Sequence, residues 1–512
     1  MAAFDTHAPL LPEILSLHGK WKRNKPALVC GTEKLSWAAF DTRTNQLANV
    51  LIKADISRGN MVGIVMSNGI AMVETIVGVM KSGACSVPIN LSVSDEALMA
   101  MLEDAGVAAI VATKDQKDRL QPYLEAHPGT LMLVVGENYE NFRDGGDPAA
   151  TTVEISGDDA LNVIYSSGTT GMPKGILHDH RGRRDWAYDL TVALRYHGGA
   201  RTLFTIGLYS NISWVGMLCT LLSGGTMFIH EKFDAEAALK TIEAEKITNF
   251  AMVPIQYQRL LEVKDQEKYD LTSIEAVMSC GSPLHADLKA ALFRRLGPKA
   301  VIELFGLTEG LITTLDPEEA DGRMSSVGKP LLGTDIKIIG DDDREVPTGQ
   351  SGEIVGVGRT MMPMYLKRPD ATAEATWTDE TGRNWFRTGD VGQLDEEGYL
   401  YIVDRKKDMI LSGGQNIYPQ DIEAVLITHP EINDVAVIGV PSETWGETPL
   451  AVVVPEAGVT LDATAVTAWA NERLGKQQRI VGTVFIDALP RNANGKILKR
   501  DLRDIYGDKN YG

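Results

Sequence analysis

The chain has few cysteines, no long uninterrupted apolar run and no excess of positive charge, and each shortage excludes a class of protein. Its four cysteines, Cys30, Cys85, Cys219 and Cys280, stand far apart with no C-x-x-C spacing. That pattern excludes a zinc ribbon or a disulfide framework and reads as free thiols buried in a reducing compartment. The start, "MAAFDTHAPLLPEIL", has no basic stretch followed by an apolar core, so no secretory signal is expected and the location is read as cytoplasmic. The longest charge-free run, Asn211 to His230, is broken by Ser213, Thr220, Ser223 and the Gly224-Gly225 pair. It predicts a buried helix, a glycine turn and a short strand rather than an integral membrane segment. Lys plus Arg number 50 against 69 Asp plus Glu, a net charge of −19. The global field therefore repels nucleic acid and anionic membranes, and an anionic substrate must be met by locally placed cations and backbone N–H groups.

What is present is an α/β rhythm. "KLSWAAFDTRTNQLANVLIKADI" reads as a helix and "MVGIVMS" as a strand; "AMVETIVGVMKSGA" and "CSVPIN", then "EALMAMLEDAG" and "VAAIVAT", repeat the order. The alternation predicts layered α/β structure with largely parallel sheets. After about Gly333 the pattern changes to β-rich runs joined by acidic, Gly- and Pro-containing turns, in "TDIKIIGDDDREVPTGQSGEIVGVG" and "VGQLDEEGYLYIVDRKKDMILSGG". The charge cluster from Asp404 to Asp408 marks a boundary between residues 1–403 and a small α+β domain of residues 404–512.

The strongest local signal is "NVIYSSGTTGMPKGILHDH". An apolar strand runs into Ser166, Ser167, Gly168, Thr169, Thr170 and Gly171, then Lys174. Glycines let backbone N–H groups turn toward an anion, hydroxyls donate further hydrogen bonds and the lysine adds a mobile charge, which are the parts of a phosphate grip. The spacing differs from G-x-x-x-x-G-K-[ST], so it is not the ordinary P-loop.

"YSSGTTGMPKG" resembles the signature of the adenylate-forming superfamily of acyl-CoA synthetases, luciferases and peptide-synthetase adenylation domains. The further motifs follow in the family's order: "SCGSPL" at Ser279, "ELFGLTEG" at Glu303, "FRTGDVG" at Phe386, "DRKKDMILSGGQNIYP" at Asp404 and "PRNANGKILKR" at Pro490. The resemblance covers essentially the whole chain. It implies a large N-terminal domain of layered α/β subdomains with a β-rich subdomain, followed by a small mobile C-terminal domain. It also implies activation of a carboxylic acid by ATP with Mg2+, forming an acyl-adenylate and pyrophosphate, and then capture of the acyl group by coenzyme A.

By the same resemblance, Ser166 to Gly171 and Lys174 enclose the leaving phosphates, Thr308 faces the α-phosphate and Glu309 ligates magnesium. Adenine lies against Gly281, Ser282, Pro283, Phe305 and Gly306 behind Glu303, with phenylalanine where the family more often has tyrosine. Asp390 accepts the ribose hydroxyls and Arg405 reaches the same ribose or phosphate. Lys496 bridges the carboxylate and the α-phosphate in the first half-reaction. For the second, the C-terminal domain is expected to rotate about Asp404, withdrawing Lys496 and bringing Ser412, Gly413 and Gly414 to the pantetheine channel.

The acid pocket is expected from Tyr209, Trp214, Gly216, Ser279, Gly306 and Leu311, a largely neutral wall suited to an apolar acid, aromatic or medium-length aliphatic. Amino-acid-activating relatives carry an aspartate in this region, and "LYSNISW" has none, which argues against an α-amino acid. The expected function is an acyl-CoA or aryl-CoA ligase, with a stand-alone enzyme loading a carrier-protein phosphopantetheine arm as the alternative and a non-catalytic nucleotide-binding protein as the rival of another class. The partners are the acid, ATP and CoA, and a homodimer is left open.

Overall fold

A computed structural model describes residues 8–165, 173–282, 284, 286–412, 415–442, 444–476, 478–491 and 495–507. By packing, the chain forms two compact units, one of Met1–Asp335 with Val357–Thr376, the other of Ile336–Gly356 with Trp377–Gly512.

The first unit is the expected layered α/β structure. One sheet has seven strands in the order Met364–Tyr365, Gly175–Asp179, Ala160–Tyr165, Cys85–Pro88, Met61–Val65, Ala109–Ala112 and Leu131–Val134. From Ala160–Tyr165 onward its neighbours are parallel, and Gly175–Asp179 returns antiparallel. The second sheet has nine strands, with a parallel run through Pro26–Cys30, Thr226–Ile229, Arg201–Phe204, Asn249–Met252, Ala276–Ser279 and Val301–Gly306. These short apolar strands are buried throughout or nearly so, which parallel pairing with helical crossovers requires.

Local chemistry sets the helix limits. Trp37–Lys53 starts where Ser36 accepts a hydrogen bond from the Ala39 N–H. The run from Asn211 to His230 forms the elements expected of it, a helix Asn211–Ser223, a left-handed cap at Gly224 and a strand Thr226–Ile229. The C-terminal carbonyls of that helix are covered by cations: Lys22 Nζ donates to Ser223 O at 2.6 Å and Lys25 Nζ to Gly224 O at 2.7 Å. Burial pulls the Lys25 ammonium down to about 8.

The second unit carries two five-stranded sheets. Strand Asn384–Leu394 pairs antiparallel with Leu400–Arg405, and Ile432–Ser442 pairs antiparallel with Gly446–Pro455, with helices Pro419–Leu426, Ala463–Arg473 and Lys499–Tyr506 in the same unit. The 384–394 and 400–405 ladder runs through Arg405, so packing carries residues 377–403 into this unit rather than dividing the chain at 404. A packing unit need not be a moving body, and Asp404 as a pivot is a proposal about motion. Among the described residues, no helix is long and apolar enough to cross a membrane. The four cysteines are free thiols, three of them buried.

Candidate active site

In the first unit two of the segments singled out from the sequence follow the carboxyl ends of parallel strands, the position where open α/β sheets gather ligand-binding groups. Strands Ala276–Ser279 and Val301–Gly306 are neighbours, with Ser279 opposite Glu303, and each runs directly into a segment singled out from the sequence. Ser279 is fully buried, and its Oγ has no hydrogen-bond partner among the described residues. Beyond it Gly281 is exposed and Ser282 half-buried, whereas Pro283 lies outside the described residues.

"GLTEG" is the tight loop of a hairpin between Val301–Gly306 and Ile312–Leu315. Leu307 N–H donates to Leu311 O at 3.0 Å and Gly310 N–H to Leu307 O at 3.1 Å. Gly310 has φ +118°, and a Cβ there would stand 2.2 Å from the Thr360 carbonyl oxygen, so only glycine closes this turn. The turn presents Thr308 and Glu309 half-buried. Glu309 is fixed from both ends, since its carbonyl accepts the Met362 N–H at 2.7 Å and its Oε1 accepts the Tyr365 hydroxyl at 2.8 Å. The Tyr365 ring also faces Lys174 Nζ at 5.2 Å, a cation–π contact. Lys174 thus shares an aromatic neighbour with Glu309. The remaining phosphate-loop residues, Ser166, Ser167, Gly168, Thr169, Thr170 and Gly171, lie outside the described residues. The strands either side of the loop pair in register, Tyr165 opposite Gly175.

Glu303 turns inward. It forms an ion pair with Lys289, which is 1% exposed and also donates to Met324 O at 2.5 Å. Burial pushes the Glu303 carboxyl up, and the Lys289 ammonium opposes that shift. Its side chain anchors the strand that ends at Phe305 and Gly306, which are themselves partly and fully exposed.

The expected acid-pocket residues divide. Tyr209 is half-buried, whereas Trp214 and Leu311 are fully buried, and the Trp214 indole N–H donates to Leu208 O at 3.0 Å. Gly216 lines a cavity of about 10 Å³ with Phe204, Ile206, Ile212 and Ser213. That is room for about one water, so accepting an acid requires these side chains to move.

A second cluster stands wholly in the other unit. Asp390 is 2% exposed and opposes Arg405 across the ladder, with Oδ1 and Nε 2.7 Å apart. Its Oδ2 is buried without a hydrogen-bond partner among the described residues. Burial pushes the carboxyl up, against the pull of Arg405, Lys496 and Lys407. Oδ2 is the uncommitted oxygen, and Oδ1 keeps a second acceptor site beside its pairing with Arg405. Burial lowers Lys496 to about 8, reinforced by Arg405 and Lys407 and opposed by Asp390 and Asp408. The glycine before it has φ +75°, and Arg491 ties that turn down by donating to Gly495 O at 2.6 Å while pairing with Asp434 at 2.7 Å. Gly495, just before Lys496, is therefore held in place by Arg491. Asp404, 2% exposed, accepts the N–H groups of Arg405 at 2.6 Å and Gln420 at 3.1 Å, and burial raises it to about 6. Ser412 is half-buried; Gly413 and Gly414 lie outside the described residues.

Sequence reading missed Tyr365 and Lys289, whose roles come from partners 56 and 14 residues away. No motif marks either. Tyr365→Phe keeps the ring and deletes one hydrogen bond to a carboxylate, which contributes about 1.5–3 kcal/mol. The expected result is a melting temperature lowered by a few degrees and a rise of roughly tenfold in KM for ATP, measured by calorimetry and initial rates.

One unit thus carries the paired strands Ala160–Tyr165 and Gly175–Asp179 and the acidic turn at Thr308 and Glu309, the other a carboxylate–lysine cluster, and similarity to known proteins makes the chain an adenylate-forming enzyme. Residues 18–366 match the family model of the AMP-binding enzyme and residues 421–496 that of the AMP-binding enzyme C-terminal domain, and the chain belongs to this family. It is 33% identical over 482 residues to a feruloyl-CoA synthase of Amycolatopsis sp, covering 93% of this chain and 95% of that one. It is 32% identical over 488 residues to the long-chain-fatty-acid–CoA ligase FadD13 of Mycobacterium tuberculosis, covering 92% and 93%. Among solved structures, ATP-bound MatB from Rhodopseudomonas palustris superposes with a TM-score of 0.89 at 27% identity, covering 98% of this chain and 99% of that one. The o-succinylbenzoate CoA synthetase of Bacillus subtilis, solved with its acyl-adenylate, gives 0.85 at 27% identity, covering 98% and 99%.

Proposed function

We propose that this acyl-CoA or aryl-CoA ligase activates an apolar carboxylic acid, aromatic or of medium-length aliphatic type, and transfers its acyl group to CoA through an acyl-adenylate. The observation that carries the reading is near full-length similarity to several acid–CoA ligases that differ in their acids, together with retention of Lys174, Glu309, Asp390 and Lys496. In the first half-reaction a carboxylate oxygen attacks the α-phosphorus and pyrophosphate leaves. In the second a thiol attacks the acyl carbonyl and AMP leaves with the oxygen that joined acid to phosphorus.

The residues share the work by chemistry. Lys174 and the loop before it hold the leaving phosphates; Thr308 meets the α-phosphate. Glu309 is a hard oxygen donor oriented by Tyr365, which fits magnesium. Glu309 is the residue that would hold such an ion, which ordinarily binds through one or two carboxylates together with phosphate and water. Bound there, magnesium neutralises phosphate charge. Asp390 takes a ribose hydroxyl on its uncommitted Oδ2, with Arg405 beside it. Lys496 supplies the positive charge that two anionic reactants need in the transition state.

Lys496 does this only while protonated. With its ammonium lowered to about 8, the adenylation rate holds below that pH and falls as pH rises through it. Lys496→Arg, whose guanidinium keeps its charge, flattens that decline, as pyrophosphate release measured from pH 6.5 to 9.5 would register. The function itself is tested by pyrophosphate release across a panel of about fifty carboxylic acids, followed by thioester detection with CoA. Folded protein that releases neither AMP nor pyrophosphate with any acid overturns the proposal.

A further inference from the structure

A cation is buried beside the segment expected to form the acid pocket, and among the described residues no anion matches it. Arg183, on helix His180–Ala193, is 1% exposed, and among the described residues no carboxylate pairs with it. Burial alone draws its guanidinium down to about 9. It is stacked against two indoles, 4.6 Å from the Trp186 ring and 5.3 Å from that of Trp214. Its donors go to two carboxamides, Nε to Asn162 Oδ1 at 2.9 Å and Nη2 to Asn211 Oδ1 at 2.9 Å.

An uncompensated buried charge costs several kcal/mol, and a methionine or leucine would fill the space without that cost. What an apolar residue lacks is direction. A guanidinium only donates, so both carboxamides must turn their oxygens to it and their nitrogens away. For Asn162 that leaves Nδ2 buried and unpartnered among the described residues. For Asn211, half-buried as the first residue of helix Asn211–Ser223, it leaves Nδ2 bonded to no described residue and facing away from the arginine. Asn211 stands between Tyr209 and Trp214, and its neighbours Ile212 and Ser213 line the cavity at Gly216.

We propose that Asn211 is a specificity-determining residue of the acid pocket and that Arg183 is its positioning residue, holding the carboxamide so that its N–H groups face the acid. Within the largely apolar acids proposed above, the preferred members then carry one acceptor oxygen on the acyl chain, such as a hydroxyl, ether or oxo group, in addition to the carboxylate. A pure hydrocarbon acid leaves that donor unpaired and is disfavoured. The inference rests on the acid–CoA ligase reading and on the placement of the acid at residues 209–216.

The test compares matched acids that differ by one oxygen: phenylacetate with 4-hydroxyphenylacetate, cinnamate with 4-hydroxycinnamate, and octanoate with 8-hydroxyoctanoate. For each pair the ratio of kcat/KM in CoA-thioester formation is measured on wild type, Asn211→Ala, Arg183→Met and Arg183→Lys. The expected wild-type ratio favours the oxygenated member of at least one pair by about tenfold or more. Asn211→Ala brings that ratio near unity, with KM for ATP unchanged. Arg183→Met does the same through KM for the acid, and Arg183→Lys restores part of it. If Arg183→Met does not fold, the partly exposed Asn211→Ala decides alone. No wild-type preference in any pair, or a ratio unmoved by Asn211→Ala, overturns the inference while leaving the ligase reading intact. Absence of turnover with every acid overturns the ligase reading itself.

Discussion

Lys496→Ala loses acyl-adenylate formation by about 10²–10³-fold and keeps thioester formation from a supplied acyl-adenylate. The magnitude is that of removing one preorganised charge aimed at developing anionic character. The selectivity follows from the chemistry: joining a carboxylate to a phosphate brings two anions together, whereas a thiol attacking an acyl carbonyl does not. The native surroundings of Lys496 are already strongly charged, with Arg405, Lys407, Asp390 and Asp408 all acting on it. Deleting the ammonium removes a group that burial and two neighbouring cations disfavour, so the fold is expected to hold. Separate single-turnover measurements of the two half-reactions check the result, and an equal loss in both would show that the lysine serves the fold or general binding.

Asp404→Pro gives the opposite split, with adenylation largely retained and thioester formation reduced by roughly a hundredfold, the scale of a misplaced reacting group. Proline fixes φ near −65° and removes a backbone donor, so it restricts any rotation about that residue. Asp404 is also structural here. Its carboxylate accepts the N–H groups of Arg405 and Gln420, and its backbone lies within strand Leu400–Arg405 opposite Val391. A stability loss is therefore expected alongside the kinetic split. Asp404→Ala, which loses the carboxylate but not the rotation, separates the two: it should lower the melting temperature as Asp404→Pro does and leave thioester formation near normal. Normal overall turnover in Asp404→Pro would remove Asp404 as the pivot.

Much of the fold was legible because it is written in local periodicity. The helix, turn and strand between Asn211 and His230 followed from apolar run length broken by two glycines, and the structure has those elements at those places. The α/β rhythm of the first hundred residues is likewise carried by helical and strand periods. Motif order singled out Thr308 and Glu309, and the hairpin turn that presents them came only with the structure. What the sequence did not mark are pairings across distant segments. Tyr365 gains its role from Glu309, Glu303 its inward orientation from Lys289, and Arg183 its place from Asn162, Asn211 and two tryptophans. None of these has a local period or spacing, since each depends on which strand ends the topology brings together. The division at residue 404 was drawn from a charge cluster, which reports exposure and turns; packing divides the chain elsewhere because the 384–405 ladder is continuous.

The central claim is that an acid oxygen becomes bonded to the α-phosphorus of ATP. It is tested most directly by supplying a turned-over acid labelled with 18O at both carboxylate oxygens, with unlabelled ATP and CoA, and recording mass spectra of the AMP and pyrophosphate. The account predicts one 18O in each AMP formed and none in pyrophosphate. Unlabelled AMP, or label appearing in pyrophosphate, would contradict it.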